Sequence, residues 1–482
     1  MDSQPPPTAS RRLTFAPRAL RRLTLLLFVT FGLAYALFAQ DKLSHNTLCR
    51  AAMTANMVEY GKVSIDGYEP LTTDIAFRGG HYYCDKAPGM SFLAAPAAFA
   101  FTRLAPVTYK TPFGRVWTVF LYLCGLTTSA LLTASAAVLL FRYILDRTGQ
   151  LGAAFVASLA FGLGTPVWGW ATSFFSHAAS AALLVFGYIA LDTMVRRLAA
   201  GGSAALYAIL GGLALGAAVA VEYTAFPATL IIGAGFLAIS SWRDAFSAVK
   251  IWALAAAAAT AALIPVLMFH ADAFGSPFEA GYGYTVYYHG HQGGFFGVSL
   301  PRGDILAKLL VSGHYGVIWY APILIAMIWA VWRLLRAPGQ RMTAIVTILV
   351  AAWYLAMNAG FAYWDGGATT GPRYLTPALG FAAIALGLAW PHFGPWARRA
   401  TGALLGLSIL INFACTAVGM TAGSIFAEIP HGLFAADLRA AVTYQAFKHP
   451  GIIHFIAPLA AAALMAWLIA AQTRRLSAPS PG

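Results

Sequence analysis

Twelve continuous apolar runs, each long enough to cross a lipid bilayer, follow one another along the 482-residue chain. They fall near 23–40, 115–141, 150–172, 177–195, 204–221, 224–241, 250–269, 314–334, 341–359, 373–391, 400–420 and 451–472. A spanning helix takes about 20 apolar residues, so the pattern predicts an all-α polytopic membrane protein and excludes a water-soluble enzyme. Composition agrees: 59% of residues are hydrophobic and only 10% charged, against about 25% charged in soluble proteins. The chain reads as one transmembrane domain, 23–472, between a basic tail at 1–22 and a Pro/Ser-containing disordered tail at 473–482.

One further apolar stretch, 89–104, has 16 residues, carries Pro96 and Arg103 and sits between polar segments. Its length and flanks predict a helix lying in the membrane interface. Charge parity supports leaving it out of the count. With the N-terminus inside, the inner segments hold 18 of the 31 basic residues and four of the 17 acidic ones. The whole net charge of +14 then lies inside and none outside, as the positive-inside rule requires. A crossing at 89–104 would put Arg196, Arg197, Arg398 and Arg399 outside. Twelve spans with both termini cytoplasmic is the consistent topology. The basic residues are distributed as loop clusters, no DNA-binding motif accompanies them, and no nucleic-acid partner is assigned. The first span also fits a signal peptide, but its length favours an uncleaved anchor.

This topology leaves the external segments 41–114, 270–313, 360–372 and 421–450. The polar chemistry collects there. Asn46–Tyr60 has helical apolar spacing, with Asn46 or Thr47 as N-cap, and beyond Gly61 the chain suits a compact functional loop. Asp74, His81, Tyr82, Tyr83, Asp85 and Lys86 follow closely. Two readings of this group stay open. Asp85–Lys86 is a solvated pair while Asp74 caps a turn, or a carboxylate acts as general base while Lys86 holds a phosphate.

In YWDGGATTGPRYL, Asp365 and Arg373 either staple a hairpin as an ion pair or offer Arg373 to an anionic headgroup. The segment 270–313 brings Glu279, Tyr282, His289 and His291 among aromatics and glycines. Such rings suit sugar binding or an interfacial belt, and His289-Gly-His291 lacks a third metal ligand at typical spacing. Trp168, Trp170 and His177 read as belt and helix-cap residues, and Glu222 as a carboxylate favoured at a helix start. Cys124 and Cys415 lie in spans, whereas Cys49 and Cys84 share the first external loop. An oxidising compartment allows those two to pair.

The segments GGHYYCDKAPGMSFLAAPAAF, FGSPFEAGYGY, VSGHYGVIWYAPIL and YWDGGATTGPRYLTPAL carry a resemblance. Over most of 23–391 the chain resembles bacterial membrane proteins related to the protein O-mannosyltransferase and aminoarabinose-transferase branch of the GT-C glycosyltransferases. The resemblance implies a polyprenyl-phosphate-linked sugar donor, a periplasmic active site beneath a first loop with interfacial helices, and inversion at the anomeric carbon. It also implies a bacterial inner membrane. Members usually carry an acid shortly after the first span; here His45-Asn46-Thr47-Leu48-Cys49 precedes Arg50, and Asp41 comes several residues early. Where the family commonly has Ser, this chain has Cys84.

The expected activity is transfer of a sugar from a polyprenyl phosphate to a hydroxyl of a lipid or glycan acceptor. Lys86 and Arg373, supported by Arg50, would hold the donor phosphate. Asp74 would be the base, with Asp41 and Asp85 as alternatives, and His81, Tyr82, Tyr83, Glu279, Tyr282 and Asp365 would contact substrate. No cofactor is assigned; a divalent metal is compatible with the chemistry, but no residue pattern calls for one. A transporter or flippase for a lipid-linked sugar, or a noncatalytic assembly protein of the envelope, are the alternatives.

Overall fold

The computed structural model describes residues 17–40, 44–107, 114–367, 369–447 and 449–477. Asp41, residues 1–16 and residues 478–482 lie outside the described residues, and with them half of the C-terminal tail for which disorder is expected. Within them the chain is mostly helical. Eight helices are long and apolar enough to cross a membrane: Pro17–Ala36 (α1), Arg115–Thr148, Ser176–Ala199, Ala245–Phe274, Arg341–Gly360, Arg373–His392, Pro395–Val418 and Ile453–Arg474. The last continues as helix to Ser477, so the chain stays helical where the C-terminal tail is expected to begin.

The other four apolar runs form shorter helices, and in two of them the reason is local. The run at 150–172 breaks after Leu151–Gly162, where Gly164 and Pro166 interrupt it before Val167–Ala171. The run at 314–334 breaks at Pro322 and resumes as Leu324–Leu335. Pro has no N–H to donate and disfavours a helical residue before it.

Small residues bring the site-bearing segments together. Gly212 and Gly216 lie on the face of Ala205–Val221 that meets Ala245–Phe274. A Cβ at Gly212 would stand 2.1 Å from the Ala255 carbonyl oxygen, and one at Gly216 would stand 2.3 Å from that of Ala259. This G-x-x-x-G spacing allows backbone-to-backbone packing. Gly89, the first residue of α3 (Gly89–Thr102), is pressed against the end of the same helix; a Cβ there would meet Ala220 O at 2.4 Å. The segment carrying Asp85 and Lys86 is thereby fixed beside Glu222.

Between α1 and α3 the first loop holds a helix, α2 (His45–Tyr60), and an antiparallel hairpin, β1 (Ile75–Arg78) with β2 (His81–Cys84). The N-cap of α2 is Ser44, whose hydroxyl accepts from Thr47 N–H, rather than Asn46 or Thr47. Asn46 instead accepts from Arg50 one turn on. Gly61, at φ 64°, closes the helix in the left-handed conformation that Gly adopts without strain. The hairpin is absent from the all-α expectation. Its turn residues Gly79 and Gly80 both have positive φ, 62° and 86°, as a two-residue hairpin turn demands. A disulfide joins Cys49 of α2 to Cys84 at the end of β2, with Cα atoms 5.1 Å apart.

The second loop covers the first. Val286 N–H donates to Ile75 O, extending the edge of β1, and the Tyr288 and Thr73 hydroxyls bond at 3.0 Å.

Candidate active site

A cavity of about 880 Å³ lies where these loops meet the helix ends. Its polar end gathers Arg50 from α2, Asp74 and Lys86 flanking the hairpin, Ser176 and His177 from the start of Ser176–Ala199, and Glu222. Arg373 and Tyr374 close it from the 360–372 side. Much of the remaining lining is apolar: Val219, Phe226, Leu263, Val266, Trp353 and Met357 contribute to it from four helices. One cavity therefore joins a cluster of charges to an apolar groove between helices.

Lys86 is bracketed by two carboxylates, with Nζ 3.5 Å from Asp74 Oδ1 and 3.1 Å from Asp85 Oδ1. Burial opposes its charge, but the two acids outweigh that and hold the ammonium above its ordinary range. Asp85 is 1% exposed and is not on the cavity wall. Burial pushes its carboxyl up to about 6, against the pull of Lys86. The reading of Asp85–Lys86 as a solvated surface pair is thus overturned. Asp74, also buried, does face the cavity.

The two arginines differ from Lys86. Arg50 is 3% exposed, donates to Asn46 and to Ser176 Oγ at 3.2 Å, and leaves Nε without a partner. Arg373 is partly buried, donates to the Tyr374 hydroxyl at 2.9 Å and also leaves Nε unpartnered. Neither has a carboxylate within 4.0 Å among the described residues. The Asp365–Arg373 staple is therefore not formed; the Asp365 carboxylate accepts from Gly367 N–H instead, though both residues line the cavity. Gly366 makes room for Arg373, since a Cβ there would stand 2.8 Å from its Nε.

Glu222 closes Ala205–Val221 at its C-terminal end, in the turn before Ala225–Ala238, and not at a helix start. Its Oε2 accepts from the Ser176 hydroxyl and lies 3.1 Å from His177 Nδ1. Burial raises this acid, but His177, Ser176 and the nearby Arg50 outweigh it and draw the carboxyl down to about 2. His177 and Glu222 are the residues that sequence reasoning left to caps and belts. Their signal was weak, since a His and a Glu 45 positions apart show no spacing.

Aromatic rings form the remaining wall. Tyr282 stacks on His291 at 4.5 Å, and the Lys86 ammonium lies 5.5 Å from the Tyr282 ring centre and 5.7 Å from that of Tyr288. Burial, then the Lys86 charge, holds His291 down to about 4, so it is neutral near pH 7. His289 is exposed and does not join it. Cys49, Cys84 and Asp85 bring three potential metal donors within 4.8 Å, but the sulfurs are joined and offer no thiolate.

Four expected substrate contacts lie away from the cavity. Glu279 is exposed and holds Arg78 at 2.6 Å and the Tyr284 hydroxyl. His81 is exposed against Asp66 at 2.7 Å. Tyr82 packs on Phe77, and Tyr83 points into the core against Phe274. His81, Tyr82 and Tyr83 belong to β2 and line no part of the cavity, whereas Lys86, just past the end of that strand, reaches the wall.

No protein-family profile matches this sequence, and no curated protein does. Among solved structures, ArnT from Cupriavidus metallidurans bound to undecaprenyl phosphate is similar at a TM-score of 0.51 and 14% identity, over 84% of this chain and 64% of that one. In its apo state the TM-score is 0.52 at 14% identity, over 88% and 65%. The chain shares the fold of these two structures. At this identity the likeness is one of fold, and the chain spans just under two thirds of the transferase's length. An archaeal oligosaccharyltransferase, AglB from Archaeoglobus fulgidus in complex with an inhibitory peptide and a dolichol-phosphate, is more distant, at 0.47 and 10% identity over 82% and 56%.

Proposed function

We propose that the protein is a periplasm-facing glycosyltransferase of the bacterial inner membrane. It moves a sugar, with inversion, from a polyprenyl-phosphate donor to a hydroxyl on a lipid or glycan acceptor. The observation that carries this reading is the pair of arginines, Arg50 and Arg373, lacking a direct carboxylate partner at the polar end of a cavity much of whose remaining lining is apolar. Enclosed cations are costly without an anion, and a phosphate attached to a long hydrocarbon satisfies both ends of the cavity at once. The GT-C fold, seen in a protein crystallised with undecaprenyl phosphate, supports the same reading.

In this account Arg50, Lys86 and Arg373 hold the donor phosphate, and Asp74 is the base. Asp74 is preferred because it faces the cavity, whereas Asp85 lies behind Lys86. The acceptor hydroxyl gives its proton to the Asp74 carboxylate as its oxygen bonds the anomeric carbon from the side opposite the phosphate. The bond from that carbon to the phosphate oxygen breaks, and its electron pair leaves with the phosphate. The three cations stabilise the charge that grows there. The topology proposed with it has twelve crossings within 23–472, both termini cytoplasmic and the loops 41–114, 270–313, 360–372 and 421–450 periplasmic.

Purified protein in liposomes, given radiolabelled polyprenyl-phosphate sugars and an envelope lipid or glycan fraction, tests the reading. A transferase releases polyprenyl phosphate and labels the acceptor. Movement of intact donor across the bilayer without release would make the protein a flippase.

A further inference from the structure

The charges around the cavity are unevenly paired. Lys86 has two carboxylates within 3.5 Å. The arginines have no carboxylate in direct contact; Asp74 and Glu222 both act on them from a distance, and Glu222 reaches Arg50 through Ser176: Arg50 donates to Ser176 Oγ at 3.2 Å, and the same hydroxyl donates to Glu222. His177, whose Nδ1 meets Glu222 at 3.1 Å, stacks edge-on to Tyr374, the residue that accepts from Arg373. Glu222 thus sits one hydrogen-bonded group away from Arg50 and is linked to Arg373 through His177 and the ring of Tyr374, close enough to act on their charge and too far to occupy their N–H groups.

We propose that Glu222 is the resident counter-charge of Arg50 and Arg373, weakening the hold of the cavity on the product phosphate so that it can leave. This rests on the reading that the cavity binds a lipid-linked phosphate. Three cations that grip the phosphate equally before and after transfer would slow turnover at release, because such binding favours product as much as transition state. A fixed carboxylate nearby lowers the attraction for every phosphate species, while the direct N–H donors stay free to respond to the charge that develops during bond breaking. Before donor binds, the same carboxylate offsets part of the charge of the two guanidiniums. His177 and Ser176 are positioning residues: their bonds aim the carboxylate and keep it ionised.

The idea predicts a result opposite to that of an ordinary structural role. Binding of a polyprenyl monophosphate to the full-length protein in detergent, measured by calorimetry, should be about tenfold tighter in Glu222→Gln than in wild type, since one nearby negative charge is gone. Turnover should fall, with stronger inhibition by added polyprenyl monophosphate. Glu222→Asp, which keeps the charge, should return affinity to within about threefold of wild type. Unchanged or weaker binding by folded Glu222→Gln overturns the proposal. Should that variant not fold, Ser176→Ala decides: it removes the bridge but keeps the charge. Affinity within about threefold of wild type supports a counter-charge, and a loss of about tenfold or more shows that the relay merely positions Arg50. Failure of wild type itself to bind polyprenyl monophosphate would overturn the transferase reading on which the proposal stands.

Discussion

Lys86 Nζ lies 3.5 Å from Asp74 Oδ1, with Asp74 on the cavity wall and both side chains about nine-tenths enclosed. In the proposed transfer, an acid placed this way would meet the acceptor hydroxyl on one side and the cation assigned to the phosphate on the other. Asp74→Asn keeps the size and hydrogen bonding but removes the proton-accepting oxygen. Transfer of labelled sugar should fall by about 10²-fold or more, the usual share of general-base catalysis. Normal turnover would move the base to another acid.

Lys86→Ala and Arg373→Ala should act on donor and transition state together. Both should raise KM for the polyprenyl-phosphate sugar and lower kcat, because the phosphate carries charge before transfer and more during it. A change in kcat alone, with KM untouched, would place these cations away from the bound phosphate.

Asp85 sets a pH dependence of stability. Its carboxyl is raised by burial from 3.8 to about 6. An acid whose folded value is raised stabilises the fold while protonated; that contribution is complete below the unfolded value and lost as pH rises through the folded one. Wild type should therefore lose thermal stability relative to Asp85→Asn between about pH 4 and 7. Melting curves that keep a constant offset across this window would contradict the assignment.

The Cys49–Cys84 bond closes a loop of 35 residues that includes the hairpin and ties Arg50's helix to the Asp85–Lys86 segment. Closing a loop of that size is worth roughly 3–4 kcal/mol in the chain-entropy model. Cys49→Ser or reductant should lower the melting temperature, and peptide mass spectrometry without reduction should find the two cysteines linked. Free thiols at both positions would refute the bond.

The apolar runs made the helices legible, since each run coincides with at least one helix in the structure. Breaks at Pro166 and Pro322 were less so: an apolar tally averages over a single residue that lacks an N–H. The hairpin was missed although Gly79-Gly80 marks its turn, because IAFR and HYYC are too short to show alternation clearly. In the site, Arg50, Lys86, Asp74 and Arg373 stood out as charges beside apolar runs. Glu222 and His177 did not, because each alone looks like a helix-end residue. The packing of Gly89 on Ala220, and of Gly212 and Gly216 on Ala255 and Ala259, together with the bonds from Ser176 and His177, brings Glu222 to the cavity. Conversely, His81, Tyr82 and Tyr83 adjoin Lys86 in sequence, but their side chains are taken up by Asp66, Phe77 and Phe274.

The most direct test of the central claim is an experimental structure of the protein in a lipid nanodisc with a polyprenyl monophosphate. The account predicts phosphate oxygens about 3 Å from the guanidinium groups of Arg50 and Arg373, with the hydrocarbon running along Val266 and Met357. A phosphate bound elsewhere, with Arg50 and Arg373 still lacking an anionic partner, would contradict it.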